Sequence, residues 1–196
     1  MTARYVPLFL AAFVSAGAVV FAILLGNDLV DQTHLAARWT ARVGFPIFIL
    51  TYSGAALAKL WPNVTTKSLL RHRRQWGLGF ALAHTVHLVA LTSFLFVSGE
   101  PPQLATVVGG GGAYLLLFAM ALTSNDAAMR ALGVWWKRLH RAGIHWLWFA
   151  FTFSYFGRIF DPDRMAQGLV LFPVCLAALG LRLWARAKMR RNLVSA

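Results

Sequence analysis

The stretch WGLGFALAHTVHLVALTSFLFV, Trp76–Val97, carries no Lys, Arg, Asp or Glu over 22 residues. The hydrocarbon core of a bilayer is crossed by about 20 apolar residues in a helix. The stretch therefore reads as a membrane-spanning helix, and it holds two imidazoles, His84 and His87. Ionisable side chains at membrane depth are costly; they usually face a protein interior and serve a function. The fold class and the functional question both start from this segment.

Working outward, the rest of the chain has the same character. Of its 196 residues, 59% are hydrophobic and 13% charged, with a mean hydropathy of +0.61. Soluble domains hold roughly 45–50% apolar and about 25% charged residues. Five further apolar segments are long enough to span: about Tyr5–Leu25, Val43–Trp61, Leu104–Leu122, Leu139–Phe156 and Met165–Trp184. The expected fold is an all-α integral membrane protein, one domain built as a six-transmembrane-helix bundle. Arg4 and the small residues Ser15–Ala18 imitate a signal peptide. An apolar run of about 20 residues exceeds the roughly 7–15 of a typical signal-peptide core, so the first segment reads as an uncleaved span.

Charge sets the orientation. With the first residues inside, 15 of the 19 Lys and Arg fall in inner segments. Only Arg38, Arg42, Arg158 and Arg164 fall outside. Short cytoplasmic loops carry such an excess of Lys and Arg, so both termini read as cytoplasmic. The net charge of +13 is thus a topology signal and implies no nucleic acid. The lipid bilayer is the partner it implies, as a multi-pass protein of a bacterial inner membrane.

Several chemistries are excluded. Cys175 is the single cysteine, so no internal disulfide forms, and no C-x-x-C-H is present for covalent haem attachment. No G-x-G-x-x-G follows a strand, and no Walker loop occurs. Gly109–Gly112 lie within an apolar segment, where small residues permit close helix packing. A flat ligand against that face is the sharper alternative.

The six histidines divide. His34 reads as an outer-loop residue and His72 as part of the basic inner loop RHRR. His84 and His87 are three residues apart, which sets them about 60° apart on one side of a helix. Counted from Trp76, they lie about 12 Å and about 16 Å deep. His140 opens the fifth segment, and His145 lies about 8 Å below it and about 140° around the axis. Imidazoles from the third and fifth segments can therefore converge in the inner half of the bilayer. Haem b suits such donors, because neutral imidazole is a good axial ligand and an apolar wall shields the macrocycle. Zinc prefers about four ligands, often sulfur or carboxylate. Proton relays and substrate transport normally use intramembrane acids, and this chain has none there. The candidate metal ligands are His84, His87, His140 and His145. Arg138 and Arg141, with Arg73 and Arg74, line the inner mouth, where guanidinium suits haem propionates. Anionic lipid headgroups explain these arginines equally well. In the alternative class, a haem-free bundle acting as an assembly factor or permease, the same histidines only hydrogen-bond helices together.

A resemblance sharpens the expectation. RHRRQWGLGFALAHTVHLVALTSF, LTSNDAAMRALGVWWKRLHRAGIHWLW and TARVGF (Thr40–Phe45) together resemble the ferric reductase-like transmembrane domain family. The likeness is strongest to the branch that supplies the haem-binding membrane subunit of methionine sulfoxide reductase systems. It covers about Thr40 to Trp148 and extends loosely over all six segments. It implies a bundle that holds b-type haem and moves electrons, the membrane electron-transfer subunit of an oxidoreductase. The positions that match its ligand histidines are His87 and His140. The family usually carries another histidine thirteen residues after the second of these, where this chain has Phe153. His84 and His145 are extra, and a shifted pair made of these two is one way to hold a haem. One haem, two or none are all compatible with this departure. No flavin or nicotinamide module is encoded, so electrons come from quinol or a separate flavoprotein and go to a separate acceptor. Bound FMN or quinone is also compatible with the sequence.

Overall fold

The computed structural model describes residues 4–102, 104 and 106–194. All elements among them are helical: α1 (Val6–Leu25), α2 (Leu29–Leu60), α3 (Val64–Arg71), α4 (Arg73–Ser98), α5 (Gly111–Leu122), α6 (Asp126–Leu132), α7 (Val134–Arg158) and α8 (Met165–Val194). A wider π-helical turn, Thr106–Gly110, leads into α5. The chain divides into two compact units: 1–51 with 72–108, and 52–71 with 109–196.

In the first unit α1, the first part of α2, and α4 meet through small side chains. Ala22, Ala36, Ala37 and Ala90 form a buried cluster flanked by Leu35 and Leu91. α1 and α4 approach so closely that a Cβ on Gly79 would stand 2.9 Å from the Pro7 carbonyl oxygen. With lipid as apolar as leucine, packing of this kind drives membrane helices together. Phe48 packs on Phe80, ring centroids 5.2 Å apart, and both are buried.

In the second unit, the end of α2 packs on α8 through Ala56, Leu60, Leu181 and Ala185. α7 packs against both α5 and α8. A Cβ on Gly143 of α7 would meet Met120 Sδ of α5 at 2.6 Å. Trp148 Nε1 donates to the Cys175 carbonyl of α8 at 2.8 Å. The joint between α5 and α7 bends sharply: α6 lies at 106° to the helix before it. The Asn125 side chain caps α6 by accepting from the Ala128 N–H at 2.8 Å. Gly133, at φ +50°, turns the chain from α6 into α7.

Several expectations change here. α2 begins at Leu29, not near Val43, because Asp28 Oδ1 accepts from the Asp31 N–H at 2.8 Å and starts the helix early. His34 is therefore a helical residue, its ring stacked on Phe94 of α4 at 4.9 Å, not a solvated loop residue. The basic segment read from the sequence as an inner loop contains α3, and His72 is the N-cap residue of α4. α7 opens at Val134, and the basic end of α8 stays helical through Arg191. Residues 103 and 105, at the expected start of the fourth segment, lie outside the described residues. Gly112 admits a flat group, and that group is the Trp146 indole, 3.4 Å from where a Cβ would sit. Trp146 Nε1 also donates to the Gly109 carbonyl at 3.4 Å.

By length and apolar composition, four described helices can cross a membrane: α1, α2, α4 and α8. Counting the bent pair of Thr106–Leu122 and α6 as one span makes five. α7 is long enough at 25 residues, but Lys137, Arg138, Arg141 and Arg158 dilute its apolar character.

Candidate cofactor site

The first unit holds His84 and His87 on one side of α4, ring centroids 5.6 Å apart. His84 is buried against Phe80, centroids 4.4 Å apart. Its ring occupies the space above Gly44 of α2, where a Cβ would stand 2.6 Å from both Cε1 and Nδ1. One turn earlier on α2, the buried Thr40 Oγ1 meets His87 Nδ1 at 3.2 Å. Thr40 and Gly44 thus serve the two histidines of α4 from adjacent turns, which gives TARVGF a physical meaning. The sequence had singled out neither residue by itself; only their shared segment carried a signal.

The second unit holds His140 and His145, and it gives them different surroundings. His140 stacks on Trp136 at 4.0 Å. Its Nδ1 donates to the Trp136 carbonyl at 3.1 Å. Its Nε2 faces Ser124 Oγ at 3.5 Å, a hydroxyl that also donates to the Met120 carbonyl at 2.6 Å. His145 Nδ1 lies 3.2 Å from the Tyr52 hydroxyl, ring edge to ring face at 86°. Tyr52 is wholly buried and stacks on Trp148, centroids 6.4 Å apart. Arg182 of α8 lies over the Tyr52 ring, its Cζ 4.3 Å from the centroid, and donates from Nη1 to the Tyr52 carbonyl at 2.7 Å. Cation–π contact and a carbonyl together offset the desolvation of this guanidinium. Tyr52 and Arg182 were invisible as site residues in the sequence, where Arg182 counted only as an inner positive charge.

The remaining candidates are peripheral. Arg138 is exposed and sits over Trp135, its Cζ 4.6 Å from the ring centroid, and Arg141 is exposed. Phe153, where the family pattern places a histidine, is 60% exposed and stacks on Phe149 at 6.0 Å. Among the described residues no three His, Cys, Asp or Glu gather as a metal cluster. In each unit the candidate donors are imidazoles, which suit an iron porphyrin better than a four-ligand ion. Three of the four imidazoles present Nδ1 to a neighbour: His87 to Thr40, His140 to Trp136 and His145 to Tyr52. Ligating histidines use one nitrogen for the metal and are oriented through the other in this manner.

Comparison with known proteins agrees with this chemistry. The chain is 28% identical over 201 residues to the protein-methionine-sulfoxide reductase heme-binding subunit MsrQ of Cronobacter sakazakii, covering 95% of this chain and 92% of that protein. It is 27% identical over 164 residues to MsrQ of Yersinia pseudotuberculosis serotype O:1b, covering 76% and 79%. MsrQ of Yersinia pestis strain Pestoides F gives 27% over 164 residues, covering 76% and 78%. No protein-family model and no solved structure matches. Four described helices are long and apolar enough to span a membrane, and the chain is similar to the heme-binding subunit MsrQ over nearly the whole length of both proteins.

Proposed function

We propose that the chain binds haem b within the membrane and passes electrons, one at a time, to a separate acceptor protein. The observation that carries this reading is that His87 and His145, on long helices, each present Nδ1 to a hydroxyl of the protein. His87 in the first unit and His145 in the second are the leading candidates for axial ligands, each on the evidence of its own unit. His87 is the family-matched position, and His145 is an imidazole beyond the family pattern on the helix where Phe153 replaces the usual second one. When bound, haem supplies the one-electron ferric–ferrous couple. The protein supplies the imidazoles, the apolar surroundings and cations. Arg138 and Arg141 offer guanidinium to propionates at the inner mouth.

The finer reading adds topology and partners. α7 completes six crossings with the α1 start and the α8 end on the cytoplasmic side of a bacterial inner membrane. The relatives are named as subunits of a methionine sulfoxide reductase, and this supports a reductase protein as acceptor. Quinol or a flavoprotein donates.

Pyridine haemochrome analysis of the detergent-purified chain tests the proposal. At least one haem per chain is expected, with His87→Ala and His145→Ala each losing or shifting the absorbance and His72→Ala leaving it intact. Haem content near zero after expression with ample haem supply sinks the reading. It would favour the haem-free bundle, for which His140 speaks, since both its nitrogens already face protein groups.

A further inference from the structure

We propose that Thr40 is a positioning residue that fixes the tautomer and ring orientation of His87 and so presents Nε2 as the metal-binding nitrogen. The use of Nε2 rests on the haem reading above; the tautomer does not.

The argument is one of donors and acceptors. Thr40 lies on α2, fully buried, with Oγ1 2.6 Å from the Ala36 carbonyl oxygen and 3.3 Å from that of Ala37. Carbonyl oxygens only accept, so the hydroxyl proton points along its own helix. A threonine hydroxyl bonded back to the i−4 carbonyl is the usual arrangement within a helix. The lone pairs of Oγ1 remain, and His87 Nδ1 meets them at 3.2 Å. Two acceptors do not bond, so Nδ1 carries the ring proton. A neutral imidazole has one N–H, which leaves Nε2 as the lone-pair nitrogen. The reverse assignment would break the 2.6 Å bond to keep the 3.2 Å one. The back-bond also fixes χ1 of Thr40, so the acceptor has one position and the ring one orientation.

Tyr52 and His145 show why the case is specific. Their bond has the same length of 3.2 Å. A phenol hydroxyl stands too far from its own backbone to make the i−4 back-bond that commits the Thr40 proton, so the back-bond argument does not apply to it. The 3.2 Å distance therefore does not by itself fix the tautomer of His145, whereas the back-bond of Thr40 fixes that of His87.

The test uses the full chain in detergent, labelled with nitrogen-15 histidine, as wild type, Thr40→Val, Thr40→Ser, Thr40→Ala and His87→Ala. His87→Ala assigns the resonances. The wild type is expected to show His87 protonated at Nδ1, and Thr40→Ser to preserve it. Thr40→Val keeps the shape and removes the hydroxyl, so His87 should populate the Nε2–H form. Haem affinity should then fall about 10- to 100-fold, as for loss of an outer-shell partner of a metal ligand. Thr40→Ala serves if Thr40→Val does not fold, and the wild-type tautomer needs no variant at all. A wild-type His87 protonated at Nε2 overturns the inference. So does Thr40→Val that binds haem as tightly as wild type, which would leave the haem reading standing. A chain that takes up no haem removes the proposed function, and the Thr40 assignment is then decided by the tautomer alone.

Discussion

At the residue scale, the first unit is tuned by the absence of one carbon. Gly44 leaves room for an imidazole that a Cβ would meet at 2.6 Å. Gly44→Ala must push the His84 ring aside, and overpacking of this kind costs about 1–3 kcal/mol. Thermal unfolding in detergent should show a lower midpoint for Gly44→Ala. Gly17→Ala, whose new methyl meets nothing within 4 Å, should leave the midpoint near that of the wild type. Equal midpoints for the two variants would mean that His84 does not sit where described. In the second unit, Tyr52→Phe removes only the hydroxyl that faces His145. The loss should be about 1 kcal/mol of stability. A changed haem spectrum in this variant would mark His145 as a ligand, and an unchanged one would reduce the Tyr52 bond to packing.

At the scale of elements, the joint between α5 and α7 concentrates the conformational demands. Gly133 has φ +50° and ψ −113°, a region closed to residues with a Cβ except at a cost. Gly133→Ala should destabilise by about 1–3 kcal/mol. Gly111→Ala, within α5 and facing open space, should instead be neutral or stabilise by about 0.5–1 kcal/mol, since glycine is a poor helix former. Melting both variants by circular dichroism checks the contrast. The helices were legible in the sequence wherever they were apolar, because length and hydropathy report what lipid must surround. The first third of α2 was not, since Asp31, Gln32, His34, Arg38 and Arg42 read as loop while the backbone continues as helix. α3 and α6 escaped for the same reason: each is short, and α3 holds both Lys67 and Arg71. The imidazoles were legible because a histidine in an apolar run is conspicuous. Thr40, Tyr52 and Arg182 were not. A hydroxyl or guanidinium in such a chain is commonplace, and its partner lies far along the sequence, 47 residues for Thr40 and 93 for Tyr52.

At the scale of the whole molecule, charge asymmetry is the determinant of orientation. A reporter that is active only in the cytoplasm, fused after Ala196, should be active, and one fused in the turn at Gly99–Pro101 should be silent. The opposite result at either site would overturn the proposed six crossings. Haem stoichiometry belongs to this scale too. With Phe153 exposed in place of a histidine, the chain should hold fewer haems than a relative that retains the imidazole there. Gly44 has a last consequence, for descent. The space above it is shared by a ring and a hypothetical methyl, so the two positions cannot drift independently. Lineages that enlarge position 44 should have surrendered the imidazole at 84 beforehand, and the order of those two steps should be recoverable from reconstructed ancestors.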